Sequence, residues 1–408
     1  MLFFLHLYDK LPLPFFLSNA MQTLQNELIA KFSAHFGREP EIVSYAPGRI
    51  EVLGNHTDYN EGYVLSAAIN YGTFFAVSKR ADNEVHLLAG DLMEEVAFDV
   101  RQPIAEKESM WANYVKGCLA GLSSVKAPQF GFDAAFLGNI PLGSGLSSSA
   151  ALETCATLAI ARLFDITLPK LEIAKIGQKA EHTFAGVKCG LLDQVSSIYG
   201  EENALVLSDF RSFDIKPIAF PEDVCFLMCN THAKHALVDG AYNERRESCE
   251  IAARFFATVL DHPVSALRDV SWNEWLRFRD SMDDRIARRA AHPIGEDTRV
   301  LEGIDCLRSG DAASFGKLMF DSHESSRVYF ENSCPELDTV VNAAKSIPGI
   351  LGARLSGGGF GGSAVVLVNK RDAETAAEAI RNAYAHQYGS PCDTRIISCS
   401  QGAHLVKA

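Results

Sequence analysis

Between Met21 and Phe36 the apolar residues Leu24, Leu28, Ile29, Phe32 and Phe36 recur at helical spacing, so the first element predicted is an amphipathic helix. The pattern then shortens. EIVSYAPGRIEVLG (41–54), YVLSAAINYGTFFAVSKR (63–80), EVHLLAG (84–90) and EEVAFDV (94–100) are rich in β-branched and aromatic residues and bounded by turn signals, which predicts a series of strands. Past Trp111 the texture changes to NYVKGCLAGLSSV (a helix), FGFDAAFLGNIPL (a strand) and SSSAALETCATLAIARLF (a long helix). Further helices are predicted over LPKLEIAKIGQKAEHTF and from about Leu191, then a strand pair, ALVLSDF and FDIKPIAF. VCFLMCN (224–230) reads as the strand that opens a second domain. After it come helices over YNERRESCEIAARFFATVL, around Trp272 to Arg279, over DDRIARRAAH and over ELDTVVNAAKS, then the strand SAVVLV, the helix AETAAEAIRNAYAHQY and the strand-like TRIISCS. No repeat of fixed period is visible, and the mixed order predicts an α+β fold rather than a doubly wound sheet.

Composition bounds the function. The 408 residues suit two domains with a cleft between them. With 47% hydrophobic and 22% charged residues the chain reads as a folded protein, and its formal net charge of −13 argues against a general attraction to nucleic acid or to anionic membranes. The densest basic stretch, Arg285 to Arg289, lies beside Asp280, Asp283 and Asp284 and reads as a solvated helix face. The 10 cysteines form no CxxC pair, which suits reduced thiols in the cytoplasm. The N-terminal run MLFFLHLYDKLPLPFFLSNAM is broken by Asp9, Lys10, Pro12 and Pro14 and lacks a basic start, so it is too interrupted for a signal peptide; residues 1–21 are expected to be an N-terminal extension, either a loose one or the product of a start upstream of Met21.

Chemistry concentrates in four segments. In PLGSGLSSSAALE (141–153), the run Gly143, Ser144, Gly145, Leu146, Ser147, Ser148 and Ser149 feeds directly into a helix. Freed backbone N–H groups and the positive end of a helix attract phosphate oxygens, and a serine hydroxyl can reach Mg²⁺. The plainer alternative is a Gly/Ser linker that caps a helix; no GxxxxGK[ST] is present, so this is not a Walker loop. APGRIEVLGNHTDYNEGYVL (46–65) sets Arg49, Asn55, His56, Asp58, Tyr59 and Asn60 between two strands, a donor and acceptor density that suits a polyol more than a plain hairpin turn. GARLSGGGFGGSAVVLV (352–368) satisfies GxGxxG, but a strand follows it instead of a helix, so its glycines are better explained by close backbone approach than by a dinucleotide. In EHTFAGVKCGLLDQVSSIYG (181–200), Glu181 and Asp193 are acids that could face a substrate, each also compatible with a cap or a surface charge.

Taken in order, these segments resemble the three motifs of the GHMP kinases, and the segment 46–65 resembles the galactokinase signature. The resemblance extends from about residue 40 onward and takes in NTHAKHALVDGAYNERRESC, LMFDSHESSRVYFENSCPELD and GILGARLSGGGFGG. It implies a two-lobed α+β GHMP kinase fold, with an N-terminal lobe like domain 2 of ribosomal protein S5 over 22–220 and a ferredoxin-like C-terminal lobe over 221–408, the cleft between them, and the terminal strand a candidate to return to the first lobe. It implies ATP, wrapped by Gly143 to Ser149, and Mg²⁺ held by Ser149 and Glu181. It also implies Asp193 as catalytic aspartate with Arg49 as its partner, and sugar contacts from Asn55, His56, Thr57, Asp58, Gly190 and Tyr242. The chain departs from the family at Asn55, where galactokinases usually carry Glu in Gly-Glu-His-x-Asp. The expected activity is transfer of a phosphoryl group to the anomeric hydroxyl of galactose; the alternatives are a related sugar (N-acetylgalactosamine, arabinose or galacturonate) and a non-catalytic sugar sensor.

Overall fold

The opening helix, α1 (Leu13–Phe36), begins upstream of Met21 in the computed structural model, which describes residues 13–105, 109–141, 143–234 and 238–407. Pro14 lies in its first turn, where a missing N–H interrupts no intrahelical bond. The first twelve residues, part of the segment read as an extension, lie outside the described ones.

Strands β1 (Ile42–Leu53), β2 (Tyr63–Lys79), β3 (Glu84–Ala89), β4 (Glu94–Asp99) and β5 (Phe132–Gly138) build a sheet that β6 (Ala204–Asp209) and β7 (Asp214–Ala219) extend along β2. Every residue of β1 is buried, because both faces of the strand are covered. One face meets α1 through Val43 and Tyr45, beside Phe74 of β2, and the other enters the main core through Ile50, Val52 and Leu53. Helices α2 (Met110–Ser123), α3 (Ser148–Leu163), α4 (Lys170–Ala180) and α5 (Leu192–Tyr199) pack on this sheet. The Ala-rich α3 has small side chains that let it lie close on β1 and β2.

The second sheet starts at β8 (Val224–Lys234). Four helices follow, α6 (Val238–Val259), α7 (Trp272–Phe278), α8 (Asp284–Ser309) and α9 (Ala312–Ser325), then α10 (Pro335–Ala344), β9 (Ile350–Leu355), β10 (Gly361–Asn369), α11 (Ala373–Tyr388) and β11 (Asp393–Ile397). The strand order is β11-β8-β10-β9, all antiparallel, a split βαβ arrangement of the ferredoxin-like kind. Along β8 the faces alternate: Cys225, Leu227 and Cys229 meet α10 and α11, while Phe226 and Met228 join the core of the first lobe. The two lobes therefore share one continuous hydrophobic core. The last strand, β12 (His404–Lys407), pairs antiparallel with β1 of the first sheet.

Two sequence expectations need correction. The helix expected over DDRIARRAAH runs on to Ser309, through Pro293. Its arginines are not a uniformly solvated face, because Arg289 is buried and pairs with Glu244 and Glu331. The strand β9 and the helix α9 were not anticipated.

Because Phe226 is fully buried and serves the core shared by both lobes, Phe226→Ala should cost about 3–5 kcal/mol. Denaturant unfolding should still show one transition; two separate transitions would mean that the lobes unfold independently.

Candidate active site

Arg49 and Glu51 are two residues apart on β1, so their side chains leave the same face of the strand. Pairing between β1 and β2 slips on either side of them, between Pro47 and Arg49 and again between Glu51 and Leu53. Such irregularities re-aim side chains at sheet rims. Arg49 reaches across to the first turn of α5, where its Nε and Nη2 lie 2.8 and 2.7 Å from Asp193 Oδ1. Its Nη1 donates to the Gly145 carbonyl at 2.6 Å, and its backbone N–H donates to Leu146 O at 3.1 Å.

The serine loop turns as its glycines permit: Gly143 and Gly145 have φ of 69° and 71°, a region that side chains rarely enter. Helix α3 begins at Ser148 with Ser147 as its cap residue, and the Ser147 hydroxyl donates to Asp193 Oδ2. Ser144 is buried, with its hydroxyl on Pro141 O, and Leu146 belongs to the core, so these two hold the loop's shape. Ser149 donates to Glu181 Oε1 at 2.7 Å. Glu181 opens a π-helical turn (181–185) at the end of α4, a distortion that often marks functional positions. Burial raises the Glu181 pKa, the Ser149 bond works against that, and the charge of Asp193 adds to it.

The loop between β1 and β2 is clamped by two consecutive acids of α8 that the sequence reading missed. Glu296 Oε2 accepts from the backbone N–H of Gly54 and of Asn55, both at 2.9 Å, and Asp297 accepts from Tyr63 N at 2.7 Å. Burial alone would raise the Glu296 pKa, but Arg299, His292 and Arg354 hold it well below the usual range. No local pattern signals it, because Arg289, His292 and Arg299 share its side of the helix. Within the loop His56 takes a left-handed backbone conformation at φ 61°. Its Nδ1 lies 2.7 Å from Tyr59 Oη and its Nε2 3.3 Å from Gly358 O. Burial lowers its pKa to about 3, so the ring is neutral. It donates from Nε2 to the carbonyl and accepts at Nδ1 from the tyrosine.

A cavity of about 220 Å³ joins these parts, lined by Arg49, Glu51, Asp58, Glu181, Asp193 and Tyr242 among others. Asn55, His56, Ser149 and Gly190 also border it. Thr57, read with the sugar side, is fully buried and holds the loop through the Gly54 and Tyr63 carbonyls. Gly190 has to be glycine: a Cβ there would lie 1.5 Å from Asp58 Oδ2. A larger recess of about 850 Å³, behind β1 and against α1 and β11, contains none of this chemistry. Across the cavity the third glycine segment lies on the serine loop, where Ser363 Oγ donates to Ser144 O at 2.6 Å.

A strand-held arginine, an acid at a helix start and a serine loop opening a second helix meet at this cavity, and the chain that brings them together is similar to known proteins. The model of the GHMP kinases N terminal domain matches residues 113–201, and that of the GHMP kinases C terminal matches residues 304–386. The mevalonate kinase of Methanococcus jannaschii, at 18% identity and TM-score 0.59, covers 89% of this chain and 100% of its own, and shows the fold. The chain is thus a GHMP kinase, with ATP as its phosphoryl donor and an alcohol as acceptor. The galactokinase galactose-binding signature matches residues 30–79. Galactokinases of Mannheimia succiniciproducens and Pasteurella multocida are each 40% identical over 381 residues, covering 92% of this chain and 97% of theirs. A structure of Lactococcus lactis galactokinase complexed with galactose aligns with TM-score 0.88 and 32% identity, over 94% of this chain and 100% of that one. The chain belongs to the galactokinase family. Among the described residues no helix is long and apolar enough to cross a membrane.

Asp58 faces the cavity from dry surroundings: burial first, then the charges of Glu51 and Asp193, raise its pKa from 3.8 to about 7. Between those values the unfolded chain ionises while the folded one keeps its proton, so stability falls as pH rises through that window. Asp58→Asn removes this cost. Its Tm should equal the parent's near pH 4 and exceed it by about 2–5 °C at pH 8, as thermal scans at a series of pH values would read. A gap that does not grow with pH would refute the assignment.

Proposed function

We propose that the chain transfers the γ-phosphoryl group of ATP to the anomeric hydroxyl of galactose, giving galactose 1-phosphate and ADP. The observation that carries this reading is the Arg49–Asp193 pair at the meeting of the serine loop and the β1–β2 loop, with Ser147 on the carboxylate's other oxygen. Asp193 accepts the proton of the sugar hydroxyl as that oxygen bonds to the γ-phosphorus; the bond from phosphorus to the bridging oxygen breaks and ADP leaves. Arg49 sets a positive charge beside both the carboxylate and the transferring group. The backbone N–H groups at the start of α3 receive the phosphate oxygens.

Ser149 and Glu181 would hold Mg²⁺. A hydroxyl and a carboxylate oxygen 2.7 Å apart are the hard oxygen donors such a cation takes. Among the described residues no three His, Cys, Asp or Glu side chains gather to hold a metal alone, which fits a cation completed by phosphate and water oxygens. Bound there, it would neutralise phosphate charge. Ten free cysteines support a reducing compartment, the cytoplasm, as the place of reaction.

ADP release from ATP and Mg²⁺ over galactose, N-acetylgalactosamine, glucose, arabinose and galacturonate tests the substrate; galactose should give the highest kcat/KM, and another winner would reject the sugar while keeping the kinase. Asp193→Asn should lower kcat about 10²- to 10⁴-fold while ATP still binds. Near-parental turnover would remove Asp193 from the chemistry.

A further inference from the structure

Asn55 and Glu51 stand four residues apart beside the cavity, and the structure leaves only one of them a polar atom to offer a ligand. Asn55 Nδ2 donates to Glu51 Oε1 at 2.8 Å and to Gly357 O at 2.9 Å, and its Oδ1 accepts from Asn332 Nδ2 at 3.1 Å. Every hydrogen-bonding direction of that amide is used except a second lone pair on Oδ1; Asn55 and Glu51 are about equally buried, at 1% and 2% exposed, so their bonding is what separates them. The orientation of the amide is fixed by its partners, since a carboxylate and a backbone carbonyl can only accept. Glu51 differs. Both bonds to its side chain, from Asn55 and from Arg354 Nη1 at 3.3 Å, end on Oε1. Among the described residues its Oε2 has no partner, yet it is not among the unpartnered polar atoms sealed from solvent. Glu51 lines the cavity and shares a strand face with Arg49. A buried carboxylate with one oxygen braced and the other open to a cavity is built to accept from a ligand hydroxyl.

We propose that Glu51 is a sugar-recognition residue: its Oε2 accepts a hydrogen bond from one hydroxyl of the acceptor sugar, and Asn55 braces Glu51 from behind instead of meeting the sugar. This rests on the sugar-kinase reading of the cleft. Asn55→Glu is then damaging. It sets a second carboxylate against Glu51 and leaves Gly357 O without its donor.

The test uses 2-, 3-, 4- and 6-deoxygalactose beside galactose, with the parent, Glu51→Gln and Glu51→Asp. The parent should discriminate against each analogue that lacks a recognised hydroxyl. For one analogue only, Glu51→Gln should erase about 10- to 100-fold of that discrimination in kcat/KM, as expected for a hydrogen bond to a charged group. Glu51→Asp should weaken the same preference in part. A merely bracing Glu51 would raise KM for all the sugars alike, and unchanged ratios in both variants would overturn the proposal. Should the parent favour a different sugar, the deoxy series is built on that sugar, so failure of the galactose reading and failure of the Glu51 assignment are separate results.

Discussion

The Arg49 guanidinium ties three segments that the sequence keeps far apart. From β1 it bonds Asp193 at the start of α5 and the Gly145 carbonyl in the serine loop, and its own backbone N–H meets Leu146 O. A planar, permanently charged fork can satisfy a carboxylate and a carbonyl at once, which a lysine cannot. With Arg49 6% exposed, the pair works in surroundings where each charge needs the other. Remove the arginine and the acid faces Ser147 alone, while the loop loses the donor that fixes its carbonyl. The way the serine loop, β1 and α5 meet at the cavity therefore hangs on one side chain.

A second layer holds the sugar side. The loop carrying His56 and Asp58 has a non-glycine residue at positive φ and would not keep that form unaided. Glu296 and Asp297 capture the backbone N–H groups of Gly54, Asn55 and Tyr63, and Glu296 is itself held by Arg299 at 2.6 Å and by the Ser322 hydroxyl at 3.0 Å. The loop thus borrows rigidity from a long helix, and that helix sits between the small helical cluster around Phe256 and Trp275 and the main core.

How much of this was legible in the sequence follows from how local each signal is. Strands β1 and β2 and helix α3 declare themselves by composition over ten or more residues, and the serine loop by glycines followed at once by helix formers. The predicted helix ended at His292, just before Pro293, whose ring is tolerated inside α8 because packing on both sides outweighs one lost hydrogen bond. Strand β9 is short and glycine-bearing, and β12 is four exposed residues whose only reason to be a strand is β1. At the site, Arg49 and Asp193 were legible through resemblance, but their contact spans 144 positions of sequence. Glu51 had a local signal, two residues from Arg49 on one strand face. Whether Asn55 or Glu51 is engaged inside the protein is decided by Asn332 and Gly357, which no local pattern connects to either.

The remaining question is how a chain of net charge −13 accommodates a polyanion. The cleft is not broadly basic; it adds acids. The charge of Asp193 raises the cost of ionising Glu181, and Glu153, sealed from water with only Gln194 on its Oε2, is pushed far above the usual range by burial and then by Glu181, so it keeps its proton. Against them stand Arg49, Lys188, which also lines the cavity, and the partial positive charge at the start of α3. In the proposed reaction a divalent cation held by Ser149 and Glu181 would offset the charge of the acids and of the phosphates together. Nucleotide and cation would then each favour the other's binding, which is how an acidic cleft can take a polyanion.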